Sequence, residues 1–228
     1  MAAAAFFDVD GTIVRASIAL YYVYFATRGF SPLRRVAWLA RSLHKILYYP
    51  VLDRLSRGRF NQVFYRNYRG MDAGRLRALS RELFESVVRP RIYPGAVARL
   101  LEHGAAGERP VLVTGSIDFV VAPLAAFLGV GDTLAVALEE RDGRFTGELT
   151  TPPISEDEKA RVVQAFAAER GIDLAQSHAY GDSSADLPML RCVGHPAAVN
   201  PDRKLRRIAE SEGWPIESWS LPERGTRG

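Results

Sequence analysis

The chain has 228 residues, 47% of them hydrophobic and 25% charged, with a formal net charge of +4. These values are ordinary for a soluble globular protein of one sizeable domain, or of a core carrying a smaller insert. A single cysteine, Cys192, excludes an internal disulfide framework and fits a reducing compartment, and the start "MAAAAFFDVD" lacks the basic region of a signal peptide, so a cytoplasmic location is expected.

Residues 3 to 9 read as a buried strand, at whose far end Asp8 and Asp10 stand two positions apart. Strand alternation points both carboxylates to one face. Like charges so close repel unless a cation or a proton lies between them. Residues 16 to 89 read as helices, weakly broken at "RGFSP" (28 to 32), "YYP" (48 to 50) and "RGMDAG" (69 to 74). Pro94 is placed to open a helix that ends before Gly104. "VLVT" (111 to 114) predicts a short apolar strand, followed by a helix capped by Ser116 and stopped at Gly129. Residues 110 to 131 carry one charge, but Gly115, Asp118 and Pro123 favour a buried strand and helix over a membrane span. Residues 135 to 150 predict a hairpin turning at Asp142-Gly143. Ser155 and Glu158 fit a capping box for the next helix, whose first turn carries Lys159. "SHAYGDS" brings a strand to another acid, Asp182. "HPAAVN" reads as the final short strand, and the tail from 220 to 228 as frayed.

From residue 94 onward strand and helix alternate, which predicts an α/β fold, a parallel sheet with helices on both faces. Composition shifts near 15 and 93. Residues 15 to 93 hold 16 basic and 4 acidic residues and 14 of the 23 aromatics, while the rest hold 14 basic and 22 acidic. We therefore expect a discontinuous acidic core, 1–14 and 94–228, and a basic, aromatic insert, 15–93.

In parallel α/β sheets ligands sit at the carboxyl ends of the strands, and Asp8, Asp10, Thr114 and Asp182 each follow an apolar strand. A carboxylate cluster without His or Cys suits Mg²⁺ together with a phosphate. Backbone N–H groups after Asp8 and after Thr114, at Gly11 and Gly115, offer an anion cradle. Thr114 adds a hydroxyl, and Lys159 a fixed positive charge. The chain uses 27 Arg and 3 Lys, so each Lys is informative; a compact ammonium suits contact with one phosphoryl oxygen.

"DVDGT", "VLVTGS", Lys159 and "YGDSSADLPML" resemble, in this order, the four motifs of the haloacid dehalogenase-like phosphatases. The insert is similar to the helical cap of their phosphoserine-phosphatase-like branch. "LYYPVLDRLSRGRFNQVFYRNYRG", "YPGAVARLLEHGAAG" and "AVNPDRKLRRIAESEGWPI" extend the resemblance over nearly the whole chain. It implies a Rossmann-like core with a helical cap inserted after the first strand. It further implies Asp8 as the nucleophile forming an aspartyl-phosphate, and Asp10 as the acid and then the base, which requires a raised Asp10 pKa. Mg²⁺ would be held by Asp8, the Asp10 backbone carbonyl and Asp182, with Asp186 and Ser183 behind them. Thr114 and Lys159 would hold the phosphoryl oxygens. Dehalogenase relatives lack the second acid, so Asp10 favours phosphatase.

Two features depart from the family pattern. The glycine expected shortly before Lys159 is missing, and three acids crowd "ISEDEKA", which makes Arg161 an alternative cation. Position 17, which carries an acid for the substrate ammonium in phosphoserine phosphatases, is Ser17, with Arg15 nearby, so phosphoserine is disfavoured. His44, His103, His178 and His195 lack metal-ligand spacing and are expected to be structural. Asp118 is expected to complement a helix N-terminus, Cys192 to fill core, and Trp214 and Trp219 to pack the C-terminal tail. The expected activity is Mg²⁺-dependent hydrolysis of a small anionic phosphate ester drawn in by the basic cap. The alternatives are a lipid phosphatase whose cap contacts an anionic membrane through "IALYYVYF" and "WLARSLHKILYY", and a non-catalytic phosphate-binding module. No nucleic-acid partner is expected, and oligomeric state is left open.

Overall fold

The computed structural model describes residues 2–42, 48–49 and 56–222. His44, Pro50 and the end of the tail from 223 lie outside the described residues. Chain order begins with strand β1 (Ala4–Phe7), then helices α1 (Ile18–Thr27), α2 (Pro32–Arg41), α3 (Arg57–Tyr65), α4 (Ala73–Leu83) and α5 (Pro94–Ala105). There follow β2 (Arg109–Ile117), α6 (Asp118–Leu128), β3 (Asp132–Val136), β4 (Leu138–Arg141), β5 (Arg144–Leu149) and α7 (Asp157–Arg170). The chain continues with β6 (His178–Gly181), α8 (Leu187–Arg191), β7 (His195–Val199), α9 (Arg203–Glu212) and β8 (Ile216–Glu217).

Six strands form one parallel sheet in the order β3-β2-β1-β6-β7-β8. All four residues of β1 are buried, as a central parallel strand covered on both faces requires. Its successive side chains report the two faces. Phe6 meets Phe166 of α7, and Phe7 meets His103 of α5, so these helices cover opposite sides of the sheet.

The insertion between β1 and α5 is helical among its described residues. The chain leaves and re-enters the sheet layer side by side: Val14 bridges Ile92, and Arg15 and Tyr93 N–H groups bond Arg91 and Ile13 carbonyls. A hairpin, β4–β5, forms a separate two-stranded sheet. Its turn residues Asp142 and Gly143 have φ of 51° and 72°, the left-handed pair that suits a two-residue hairpin. The hairpin docks on the helical insertion, where Phe145 exchanges backbone bonds with Gly70 and Met71.

Several local expectations are corrected. Helix α6 starts at Asp118 without a side-chain cap; Ser116 lies inside the longer β2 and its hydroxyl is used elsewhere. Asp118 instead accepts from the Phe119 N–H, and Gly129 ends the helix at φ 68° as expected. Ser155 and Glu158 form no capping box, because Glu156 takes the cap position with φ 54° and Ser155 Oγ has no hydrogen-bond partner. Helix α5 runs through Gly104, and the left-handed turn is taken by Gly107. β7 is not the last strand: Asp202 caps α9 by accepting from Lys204 and Leu205 N–H groups, and β8 follows. Residues 110–131 divide into strand and helix as expected, and among the described residues no helix is long and apolar enough to cross a membrane. Trp219 packs on Gly95 and is bracketed by Asn200, which pins the C-terminal segment to the sheet layer. Cys192 is half-buried, with Sγ donating to the Met189 carbonyl.

Candidate active site

Three parallel strands end at one edge, and each carries a predicted residue there. Asp8 follows β1, Thr114 lies near the end of β2, and Asp182 follows β6. Asp8 continues the ladder through its N–H to the Tyr180 carbonyl at 3.0 Å. The loop then turns sharply, with Ile13 and Val14 N–H groups both returning to the Val9 carbonyl. Gly11 makes that turn at φ 108°, and a Cβ on it would lie 2.1 Å from Asp182 Oδ2. The Gly after "DVD" therefore lets two strand ends bring their acids together. Gly181 does the same on β6, since its Cβ would meet Asp186.

Lys159, buried in the first turn of α7, bridges Asp8 Oδ1 and Asp186 Oδ1. Asp186 Oδ2 also accepts from the Ser183 N–H and hydroxyl, both at 3.0 Å. Asp10 turns its carboxylate away from this pair: Oδ1 accepts from Tyr21 at 2.7 Å and Oδ2 from Ser116 at 2.5 Å. Thr114 is buried and accepts the Ser116 N–H at 3.0 Å, leaving its own hydroxyl proton to donate.

The electrostatics follow from four carboxylates facing one buried ammonium in low dielectric, with Arg57 acting on Asp10 and Asp182 from the cavity wall. Burial pushes the Asp8 carboxyl up to about 7, with Lys159 opposing and Asp186 adding to the rise. Burial, then the Asp8 and Asp186 charges, push Asp182 up to about 9. Burial also raises Asp10, against the hydrogen bonds from Ser116 and Tyr21. Burial alone would lower Lys159, but Asp186 and Asp8 hold it above its ordinary value. The cluster lacks positive charge. Asp8 Oδ2 is buried with no hydrogen-bond partner, and oxygens of Asp8, Asp182 and Asp186 lie within 4.8 Å of one another. Hard oxygen donors converging on one point and excess negative charge fit a divalent cation.

A cavity of about 510 Å³ opens over these groups. Its far wall comes from the helical insertion, with Ser17, Ile18, Tyr49, Arg57, Phe60 and Asn61. A sequence model of the haloacid dehalogenase-like hydrolases matches residues 5–191. The chain belongs to that family. A probable phosphatase of Mycobacterium tuberculosis is 34% identical over 226 residues, covering 96% of this chain and 76% of the relative. A phosphoserine phosphatase of the same organism is 31% identical over 230 residues, covering 100% of this chain and 74% of the relative. The crystal structure of a Bordetella pertussis protein of unknown function superposes with a TM-score of 0.82 at 29% identity, covering 95% of this chain and 98% of that one.

In this haloacid dehalogenase-like hydrolase the fold gathers Asp8, Asp10, Gly11, Thr114, Gly115, Lys159, Asp182, Ser183 and Asp186 around one cavity. Arg161 is not an alternative to Lys159: its side chain is 73% exposed and pairs with Glu158. The buried Lys159 points inward because α7 starts one residue after Glu156, turning position 159 toward the sheet edge and 161 toward solvent. Sequence reading missed Tyr21, Tyr65, Asn61 and Glu156. Tyr65 donates to the Gly115 carbonyl at 2.5 Å, and Asn61 Nδ2 would lie 2.8 Å from a Cβ on Gly115. Glu156 accepts from Ser56 Oγ and from the Arg57 and Gly58 N–H groups, each at 3.3 Å, at the N-terminus of α3. No local signal marks these residues, because Tyr21 acts 11 positions away and the others across 50 or more. The "RG" and "FN" neighbours only hint that α3 is polar on one side.

Proposed function

We propose that this chain is a Mg²⁺-dependent phosphomonoester hydrolase that works through an aspartyl-phosphate on Asp8, with 15–93 as a cap over the core. The observation that carries this reading is the division of the Asp8 carboxylate: Oδ1 is held by Lys159, while Oδ2 is buried and unpartnered. Oδ2 attacks the phosphorus, and the bond to the ester oxygen breaks. Protonated Asp10 gives its proton to that leaving oxygen. Water then attacks the phosphorus of the aspartyl-phosphate and passes a proton to Asp10, which restores Asp8 and releases inorganic phosphate. Tyr21 and Ser116 suit this cycle, because hydroxyls accept as well as donate and so accommodate Asp10 in both charge states. The Thr114 hydroxyl, backbone N–H groups at Gly11 and Gly115, and Lys159 hold phosphoryl oxygens. Asp8, the Asp10 carbonyl and Asp182 would hold Mg²⁺, with Asp186 and Ser183 behind them, and bound there it would supply charge neutralisation for the transferring group.

The substrate is a small anionic phosphate ester. Among the described residues the carboxylates lining the cavity all belong to the acidic cluster, and the polar side chains that the insertion contributes are Ser17, Tyr49, Arg57 and Asn61. Among the described residues that lining gives a substrate ammonium no further counter-charge, which supports phosphoserine being a poor substrate despite the name of the 31% identical relative. The test is phosphate release from p-nitrophenyl phosphate and a phosphomonoester panel with and without Mg²⁺. Turnover that disappears in Asp8→Asn, with folding intact by circular dichroism, supports the reading; turnover retained in that variant sinks it.

One observation favours a lipid phosphate as a second reading. Helix α2 buries none of its residues, and Leu33 and Val36 are 85% and 64% exposed beside Arg34 and Arg35. An apolar stripe edged by Arg suits an anionic bilayer surface. Salt-sensitive pelleting with anionic vesicles, lost in Leu33→Glu/Val36→Glu, would support it; no pelleting would end it.

A further inference from the structure

The opposite edge of the sheet carries a second cluster. Among the described residues, His103 on α5, Glu108 before β2 and His178 at the start of β6 place ligand atoms within 4.8 Å of one another. The sequence separates them by up to 75 positions, so no spacing revealed them. We propose that His103, Glu108 and His178 form a binding site for a divalent transition-metal ion of the zinc type, distinct from the carboxylate cluster.

The geometry is that of a site short of one charge. Glu108 Oε2 is shared by two imidazoles: it lies 2.5 Å from His103 Nδ1 and 3.1 Å from His178 Nδ1. His178 Nδ1 is off the line a hydrogen bond needs and is buried without a hydrogen-bond partner. One carboxylate oxygen thus serves two nitrogens and leaves one unsatisfied, which is costly in a half-buried place. A cation bound by both nitrogens and the carboxylate removes that deficit. Two imidazoles and one carboxylate match the zinc donor set. His103 is already oriented as a ligand would be. Its Nε2 lies 2.8 Å from Tyr180 Oη, which can accept that ring N–H once an ion replaces the proton that Nδ1 shares with Glu108. The His103, Glu108 and His178 side chains are 9%, 19% and 29% exposed, so the site is sheltered yet reachable. His195, at the start of β7, stacks on His178 with ring centroids 4.8 Å apart and limits its rotation.

The two clusters sit at opposite ends of β6, four residues apart along the strand, or about 13 Å. Donor chemistry separates their ions. Oxygen-only ligands suit Mg²⁺, while imidazole nitrogen selects a later transition metal. An ion here would tie α5 and the entry to β2 onto β6, with no role in bond breaking.

The test uses the full chain in saturating Mg²⁺, with Co²⁺ as a spectroscopic probe and Zn²⁺ as competitor. The expected result is the intense visible absorption of four-coordinate, imidazole-ligated Co²⁺ at one equivalent, displaced by Zn²⁺. His178→Gln and Glu108→Gln should each weaken binding at least tenfold and keep p-nitrophenyl phosphate turnover. The wild-type cobalt spectrum decides without any variant: its absence overturns the proposal. So does a spectrum unchanged in both variants, which would assign the ion elsewhere.

Discussion

Gly11 and Asp182 approach so closely that a methyl group on Gly11 would fall 2.1 Å from Asp182 Oδ2 and 2.5 Å from its Cγ. A carboxylate that short has no far end to swing clear. Gly11→Ala should therefore displace Asp182 and the loop that presents Asp8. We expect at least about a 100-fold loss of activity, the order that a displacement near 1 Å costs at a reacting centre. Mg²⁺ should be bound more weakly in titration calorimetry. Gly107→Ala is the control, because its φ is also positive, at 78°, but it has open space around it; its cost should be confined to stability. Equal activity losses in the two variants would refute the packing argument.

Ser116 and Tyr21 hold opposite oxygens of Asp10. Both bonds favour the charged carboxylate and oppose the rise caused by burial. Removing one should raise the Asp10 pKa further. In Ser116→Ala the alkaline limb of the pH–rate profile should move to higher pH, and kcat should fall roughly tenfold, about one charge-assisted hydrogen bond. Tyr21→Phe should move the limb the same way. An unmoved limb in both variants would show that these hydroxyls do not tune Asp10.

What was legible in the sequence followed local rules. "FFDVDGT" and "YGDSS" state strand, turn and acid in consecutive residues, and the hairpin announces itself at Asp142-Gly143, where two left-handed residues are required. Ser116 and Ser155 were misread for one reason: each sits where a cap belongs, but a strand continues to Ile117 and Glu156 takes the next cap. Tyr21 on Asp10 and Tyr65 on Gly115 were invisible, because a contact between an inserted helix and a sheet edge leaves no period in the chain. β8 was missed because two residues cannot display alternation.

Glu156 couples the insertion to the turn that carries Lys159. It stands at φ 54°, ψ −131°, a costly backbone for a residue with a side chain, while its carboxylate meets three donors at the start of α3. Glu156→Ala should lose those contacts and keep the strain, destabilising by roughly 1–3 kcal/mol. The KM for a phosphate ester should rise more than kcat falls, because α3 supplies the cavity wall and not the reacting groups. Glu156→Gly relieves the strain and should recover part of the stability without recovering KM. Recovery of both would mean that the backbone, and not the carboxylate, matters. Chemical denaturation and steady-state kinetics on the two variants separate these outcomes.

The acidic cluster also fixes how stability depends on pH without metal. Asp8 and Asp182 are raised from 3.8 to about 7 and about 9. The folded chain therefore holds protons that the unfolded chain has already released. That contribution is complete below the unfolded value and is lost as pH rises through 7 and then 9. With chelator present, Tm should fall steadily from about pH 5 to pH 9 through these groups. A divalent cation competes with the same protons, so Mg²⁺ should raise Tm little at low pH and progressively more toward high pH, releasing protons as it binds. Asp182→Asn cannot ionise at this position; it should flatten the metal-free curve at its alkaline end and weaken the Mg²⁺ effect. Thermal unfolding with chelator or Mg²⁺ at each pH, and calorimetry in buffers of different ionisation enthalpy, measure both effects. Parallel curves with and without Mg²⁺ would mean that the ion does not bind at these carboxylates.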